Sequence, residues 1–355
     1  MKAPIVIVGG GLSGLYAARL LAAAGVSFLL LEARDRLGGR ILSVTDDGFD
    51  LGPAWFWPDM QPMMTQLIEE LGLTGFGQYS DGDVLMERSA QEKVQRFAGF
   101  GQMASSFRIA GGTGALVTAL AAGLPQERIQ LSVTVTAAEL RDEGVLLTAR
   151  DAKGETISIT AARVLFALPP RLLERAIRFK PAMVPALCTR WRQTPTWMAP
   201  HAKFLAVYER PFWRASGLSG TVQSMVGPMG EIHDASAIAG KAALFGFLGV
   251  PAAARQKIGA DALKTHCQAQ LTRLFGPDAS KPVASFLKDW SADALTATAD
   301  DQEAGEHPSP NAQPWFDAAW AGHAVMAGSE AASEHPGYLE GALLAASRAV
   351  LDITS

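Results

Sequence analysis

The run Ile5-Val6-Ile7-Val8 leads straight into Gly9-Gly10-Gly11-Leu12-Ser13-Gly14, and no other stretch limits the possible folds so sharply. A continuous apolar run of this length suits a strand buried on both faces. Leu12 to Ala24 has helical spacing, Gly25 stops it, and Ser27 to Leu31 reads as a second strand, which makes a β-α-β unit. Gly9, Gly11 and Gly14 stand as G-x-G-x-x-G at the junction of strand and helix. The turn needs residues without a Cβ, the second glycine lets backbone approach a pyrophosphate, and the helix start offers free N–H groups and a positive dipole end. Glu32, eighteen positions after Gly14, is placed to accept hydrogen bonds from a ribose. A glycine-rich turn without a ligand is the plainer reading of such a motif standing alone. Strand, glycines, helix, second strand and acid in the right order argue against it, although they do not separate NAD from FAD.

A second signature lies at the other end of the chain. His323-Ala324-Val325-Met326-Ala327-Gly328-Ser329-Glu330 is followed by Pro336-Gly337-Tyr338-Leu339-Glu340-Gly341-Ala342, which opens a last helix. The pair suggests a dinucleotide whose two extremities are held by opposite ends of the sequence, and so FAD. Arg34 to Arg40 supports this, because a Gly38-Gly39-Arg40 loop offers further backbone donors and a guanidinium near phosphates or flavin.

At 355 residues the chain exceeds the size at which one core usually keeps growing, so two packed regions are expected. A formal net charge of -4 and a pI near 5.9 give no bulk reason to expect nucleic acid as a partner. Two cysteines, Cys188 and Cys267, are too few for a disulfide framework and fit a reducing compartment. The first strand begins by Pro4 or Ile5, and the apolar stretch Leu12 to Leu31 is broken by Arg19 and Gly25. The expectation is a soluble cytoplasmic protein without a leader or a membrane anchor. The six histidines show no paired ligand spacing, so no metal is expected. Gly11-Leu12-Ser13-Gly14-Leu15 misses the second glycine of a nucleophile elbow, which leaves a serine hydrolase unsupported.

Between the two ends the character changes twice. Pro58 to Phe107, with a helix at Met60 to Leu71, reads as a first insertion. Gly111 to Ala122 reads as a helix, followed by strands at Ile129 to Val135, Gly144 to Ala149, and Thr156 to Thr160 running towards Val164 to Leu168. A second insertion from about Pro181 to Trp290 carries strands Lys203 to Tyr208 and Ala242 to Leu248 and a helix at Ala260 to Phe275. Asp300 to Pro314 reads as a long loop. The expected layout is a discontinuous α/β protein, with a nucleotide domain from 1–57, 108–180 and 291–355 and a substrate domain from 58–107 and 181–290.

With these motifs in place, the chain resembles the flavin-containing amine oxidase family. The matching text is Val6 to Leu15, Leu31-Glu32-Ala33-Arg34-Asp35-Arg36-Leu37-Gly38-Gly39-Arg40, Asp50-Leu51-Gly52-Pro53-Ala54-Trp55 and Arg108-Ile109-Ala110-Gly111-Gly112. It continues through Leu168-Pro169-Pro170, Pro211-Phe212-Trp213-Arg214, Gly328-Ser329-Glu330 and Gly337 to Ala342. The resemblance implies a two-domain α/β (α+β) fold: a Rossmann-like FAD-binding domain of the p-hydroxybenzoate-hydroxylase type with a discontinuous substrate domain. It implies FAD contacts from Gly9, Gly11, Leu12, Ser13, Gly14, Glu32, Ala33, Arg34, Gly38, Gly39 and Arg40 at the first end. Gly52, Pro53, Ala54, Trp55, Val135 and Trp290 follow, with Val135 beside adenine and the two tryptophans near the flavin. Gly328, Ser329, Gly337, Tyr338, Leu339 and Ala342 complete the set at the last helix, whose N-terminus would stabilise negative charge near flavin N1 and C2=O.

Two residues carry the implied chemistry. Lys203 matches the lysine that holds a water against flavin N5, and Tyr338 matches one ring of the aromatic cage that guides an amine to the flavin. From the residues alone, a solvent-facing strand lysine and a packing tyrosine are the plainer readings. After Trp290, where relatives commonly carry Cys-Tyr or another aromatic, this chain reads Thr296-Ala297-Thr298-Ala299-Asp300-Asp301. FAD is therefore expected to be non-covalent, and the cage open on one side or completed by Trp315, Phe316 or Trp320. The short first insertion suggests a smaller substrate domain and an open entrance. Arg88, Arg192 and Arg214 are candidates for meeting a substrate carboxylate. The implied reaction is oxidation of a small-molecule amine to an imine, with O₂ reduced to hydrogen peroxide. The alternatives are an FAD-dependent dehydrogenase or desaturase on a non-amine substrate, and a flavin-binding protein with vestigial chemistry.

Overall fold

The computed structural model describes residues 2–99, 106–303 and 305–354, so 100–105 of the expected first insertion and 304 of the expected long loop lie outside the described residues. The strand Lys2–Val8 pairs in parallel with Phe28–Leu31 on one side and with Thr156–Phe166 on the other. Its side chains divide by parity, as a period of two requires. Ile5 and Ile7 enter one core with Leu12, Leu15, Leu21 and Leu343, whereas Val6 and Val8 enter a second with Leu29, Val164 and Trp320. Both faces are therefore covered, which is why the strand is apolar throughout.

Thr156–Phe166 is one continuous strand, as the run from Thr156 towards Leu168 suggested, and it serves two partners along one edge. Its first half pairs antiparallel with Gly144–Arg150, and its last residues pair in parallel with Ala324–Met326. Gly144–Arg150 continues to Thr134–Arg141 and then Arg178–Lys180, while Phe28–Leu31 carries Ile129–Gln130 at the far edge. The expected strand Ile129 to Val135 is thus broken. Ser132 turns it at a φ of 57°, sending Val133 back to hydrogen-bond the Glu32 carbonyl. The ends of the chain meet on one face of this sheet. The helices Leu12–Ala23 and Leu339–Thr354 pack together there, with Ala17, Ala18, Ala346 and Ala349 in the shared core.

A second sheet is built from both expected insertions. Its order is Ala284–Asp289, Ala202–Tyr208, Ala242–Leu248, Met229–Asp234, Leu218–Ser224, Asp83–Glu87 and Gln95–Phe97. Parity again assigns the faces: Phe204, Ala206 and Tyr208 pack with residues of the helix Ala260–Phe275, including Leu263 and Leu271. Leu205 and Val207 pack with Phe49 and Leu51 from the first third of the chain. Lys203 shares the parity of that inner face. The helix expected at Met60 to Leu71 is Pro62–Glu70, with proline at its first position. Among the described residues, no helix is long and apolar enough to cross a membrane.

Candidate active site

One cleft runs from the glycine turn to the start of the last helix. Gly9, at a φ of 110°, lies against the strand end, where a Cβ would stand 2.6 Å from the Ala167 carbonyl oxygen. Gly14 lies closer still, since its Cβ would fall 1.9 Å from the Gly9 carbonyl oxygen. Gly11 differs: nothing stands within 3.9 Å of its virtual Cβ, and it lines the cleft with Leu12 and Ser13. The helix that follows has no side-chain cap and no acidic residue in its first turn. Free N–H groups and the positive dipole end are thus left at the cleft for an anion.

Glu32 holds this turn together. Its Oε2 accepts the Gly10 N–H at 2.6 Å and its Oε1 the Arg34 N–H at 2.8 Å, while Glu32, Ala33 and Arg34 line the cleft beside Val135. Gly38, Gly39 and Arg40 come next along the wall. Arg36 braces that loop by donating to the carbonyls of Leu37, Gly39 and Ile41.

Arg40 then joins the two ends of the chain. It grips Glu330 with both Nη atoms, at 2.6 and 3.1 Å, and also donates to the Ser329 hydroxyl and the Trp197 carbonyl. The Ser13 hydroxyl donates to the Ala327 carbonyl, a second link of the same kind. Gly328, Ser329, Gly337, Tyr338, Leu339 and Ala342 complete this end of the wall. Glu340 turns away from it and accepts the Met63 and Met64 N–H groups, capping the helix Pro62–Glu70.

The remaining wall is contributed by Gly52, Pro53, Ala54, Trp55 and Trp290. Trp55 donates to Gln78 and Trp290 to the Leu51 carbonyl. Of the residues that the resemblance assigns to FAD contact or to the chemistry, Gly14 and Lys203 do not line the cleft. Gly14 sits behind it, packing the helix onto the strand. Lys203 is fully buried one layer back, where its ammonium donates to the carbonyls of Asp50 and Gly52 at 3.0 and 2.9 Å and lies over the Phe245 ring. It is not the solvent-facing lysine of the plainer reading.

Burial pulls the Lys203 pKa down to about 7 against the opposing pull of Asp50. A lysine lowered in this way binds its proton less tightly folded than unfolded. The penalty is therefore complete below pH 7 and disappears as pH rises towards the unfolded value near 10.4. Urea denaturation at pH 7 and pH 9.5 is expected to show wild type gaining stability relative to Lys203→Met by a few kcal/mol (~1.4 per pH unit). A pH-independent difference would contradict it.

Around Tyr338 the structure corrects the expected cage. Trp315, Phe316 and Trp320 belong to the core under the first sheet with Phe166, Phe179 and Trp191, and none of them lines the cleft. The rings that do surround Tyr338 are Trp57 and His335, edge-on at 6.1 and 6.3 Å, and His307, parallel at 4.5 Å. His307 in turn stacks on Trp197. Trp197 lines the cleft and His307 does not, and neither was singled out by sequence, because the residues around them carry no motif. The candidate carboxylate-binding arginines are also placed elsewhere: Arg192 pairs with Glu174 and Arg214 with Asp234, and neither they nor Arg88 lines the cleft. Burial pushes the Cys267 thiol up to about 12, and neither cysteine lines the cleft.

Comparison with known proteins gives a family profile described as "Flavin containing amine oxidoreductase" over residues 81–354. An NAD(P)-binding Rossmann-like profile matches residues 7–71. A probable flavin-containing monoamine oxidase A of Dictyostelium discoideum is 24% identical over 96% of this chain and 94% of its own length. Putrescine oxidase of Kocuria rosea is 46% identical over 81 residues, a match spanning 22% of this chain and only 17% of that protein. In three dimensions, putrescine oxidase bound to putrescine superposes with a TM-score of 0.82 over 100% of this chain and 99% of the other, at 23% identity.

Proposed function

From the premise that this chain belongs to the flavin-containing amine oxidoreductases, we propose that it oxidises small neutral amines that lack a carboxylate. The product is an imine, which hydrolyses to a carbonyl compound and ammonia or a smaller amine, with O₂ as final acceptor. FAD, when bound, supplies the two-electron acceptor that takes the hydride equivalent and passes it to O₂ as hydrogen peroxide.

The cleft fits FAD on its own features: an uncapped helix start faces it, Gly11 leaves room where a Cβ would intrude, and a second helix begins at its far end. In this reading Gly11, Leu12 and Ser13 hold the pyrophosphate, Glu32 the ribose, Val135 the adenine, and Tyr338 to Ala342 the pyrimidine. The sheet that runs from Gln95–Phe97 to Ala284–Asp289 forms the substrate domain over the ring system. Lys203 donates to the Asp50 and Gly52 carbonyls and so fixes, from behind, the segment that enters the wall.

One observation carries the substrate reading. Among the described residues, the only charged side chains of the cleft wall are Glu32, Arg34 and Arg40. Glu32 holds backbone N–H groups, Arg34 pairs with Asp293 and Arg40 with Glu330. The aromatic end, with Trp55, Trp57, Trp197, Phe247 and Tyr338, therefore has no free cation for a carboxylate. It also has no carboxylate for an ammonium, so a charged amine would be desolvated there without compensation. A neutral amine needs no protein base to lose its proton first.

Anaerobic addition of alkylamines is expected to bleach the flavin, with peroxide on re-aeration, and kcat/KM is expected to rise with pH as the amine (pKa of about 10) loses its proton. Bleaching by non-amine compounds alone would defeat this reading, as would an inert flavin. Acid precipitation should release the FAD.

A further inference from the structure

The loop between the short turn Ala299–Asp301 and the strand Ala324–Met326 places one side chain in an unusual seat. His307 lies between two aromatic faces, with Trp197 at 3.3 Å and 24° on one side and Tyr338 at 4.5 Å and 7° on the other. Its Nε2 is 3.0 Å from the Tyr338 hydroxyl. Trp197 and Tyr338 both line the cleft. They form a slot one ring wide, held open by a filler that is planar and carries nitrogen. The next residue locks the filler in place: Pro308 is buried against Gly337, where a Cβ would stand 3.3 Å from its Cγ and 2.8 Å from the Trp197 Cβ. Burial holds the imidazole pKa below its usual value and favours the neutral ring.

The loop is otherwise lightly held. Asp301 anchors one foot through Thr298 and Arg171, and Trp315 and Phe316 anchor the other in the core. Among the described residues, 305–312 make no backbone-to-backbone hydrogen bond. The seat of His307 is thus set by its stacking partners and not by a surrounding ladder.

We infer that His307 is a specificity-determining residue of the amine site, filling the slot between Trp197 and Tyr338 so that slender alkyl groups are admitted beside Tyr338 and flat aryl groups are excluded. This rests on the amine reading above. A planar substituent gains most from two parallel aromatic faces, and here the chain's own ring has taken that place. Stacking partners at this spacing leave no room for a second ring.

The test compares n-butylamine with 2-phenylethylamine. His307→Ala is expected to raise the kcat/KM ratio of the arylalkylamine to the alkylamine by about tenfold, the scale on which an apolar pocket discriminates by size. His307→Phe keeps a ring in the slot and is expected to retain the wild-type ratio. Imidazole gives a readout that needs neither turnover nor FAD: it is expected to raise the melting temperature of His307→Ala and leave wild type unmoved. Should neither amine reduce the wild-type flavin, the amine reading fails and the imidazole shift alone decides whether the slot exists. An unchanged ratio in His307→Ala, a Phe variant that behaves like the Ala variant, or an absent imidazole shift overturns the inference.

Discussion

Gly14→Ala is expected to destabilise the chain and abolish FAD binding, whereas Gly11→Ala leaves a folded protein that binds FAD poorly. The two glycines belong to one motif but fail for different reasons. A methyl group on Gly14 would meet the Gly9 carbonyl oxygen at 1.9 Å. Gly9 stands in the turn that directly follows the central strand and Gly14 in the first helix, so relief requires the helix to move off the sheet. Overpacking of this kind costs about 1–3 kcal/mol where side chains can yield, and more where they cannot. Gly11 has φ -73° and ψ -177°, a conformation open to any residue. Its methyl would meet nothing within 3.9 Å and would project where backbone must approach the pyrophosphate. A loss on the order of a hundredfold in FAD affinity, ~3 kcal/mol, is expected without loss of helix. Circular dichroism, melting temperature and flavin content separate the two outcomes. Full flavin occupancy in Gly11→Ala, or a wild-type melting temperature in Gly14→Ala, would show the assignments to be wrong.

Glu330→Ala is expected to produce the second large effect. Glu330 is wholly buried and receives both Nη atoms of Arg40, whose side chain is 24% exposed. Removing the carboxylate leaves the guanidinium only the Ser329 hydroxyl and the Trp197 carbonyl as acceptors and frees the contact between residues 38–40 and 329–330. Truncating one partner of a buried pair typically costs about 3–5 kcal/mol. Arg40→Leu should be milder in combination than alone, because Glu330→Ala with Arg40→Leu removes both charges. The double variant is expected to be less destabilised than the sum of the single ones. FAD affinity should fall in each, since Arg40 and Ser329 both line the cleft. Strict additivity in urea denaturation would mean that the pair is not coupled.

The glycine turn could be read from sequence because its constraints are local: a strand, three glycines and a helix start fix one another within ten residues. The apolar parity of Val6 and Ile7 likewise announces a strand with two covered faces. Glu32 was legible as an acid at the nucleotide end, yet its bonds to the Gly10 and Arg34 N–H groups arise from how the chain turns around it. Lys203 shows the limit clearly. Its strand was evident, but two backbone carbonyls from 151 and 153 residues away determine where its ammonium points. Trp315, Phe316 and Trp320 were plausible cage rings by composition, and the fold sends them beneath the sheet. His307 stood in a polar, proline-rich stretch that reads as loop.

By itself the sequence determined the nucleotide end, the cofactor class and the family, because close backbone approach and helix polarity leave marks in consecutive residues. The tertiary structure alone decided how Arg40 meets Glu330, what stands behind the cleft at Lys203, and which rings surround Tyr338. Those contacts join residues that are hundreds of positions apart or sit on a loop without periodicity. Their geometry is set by packing between elements, and packing leaves no spacing rule to read.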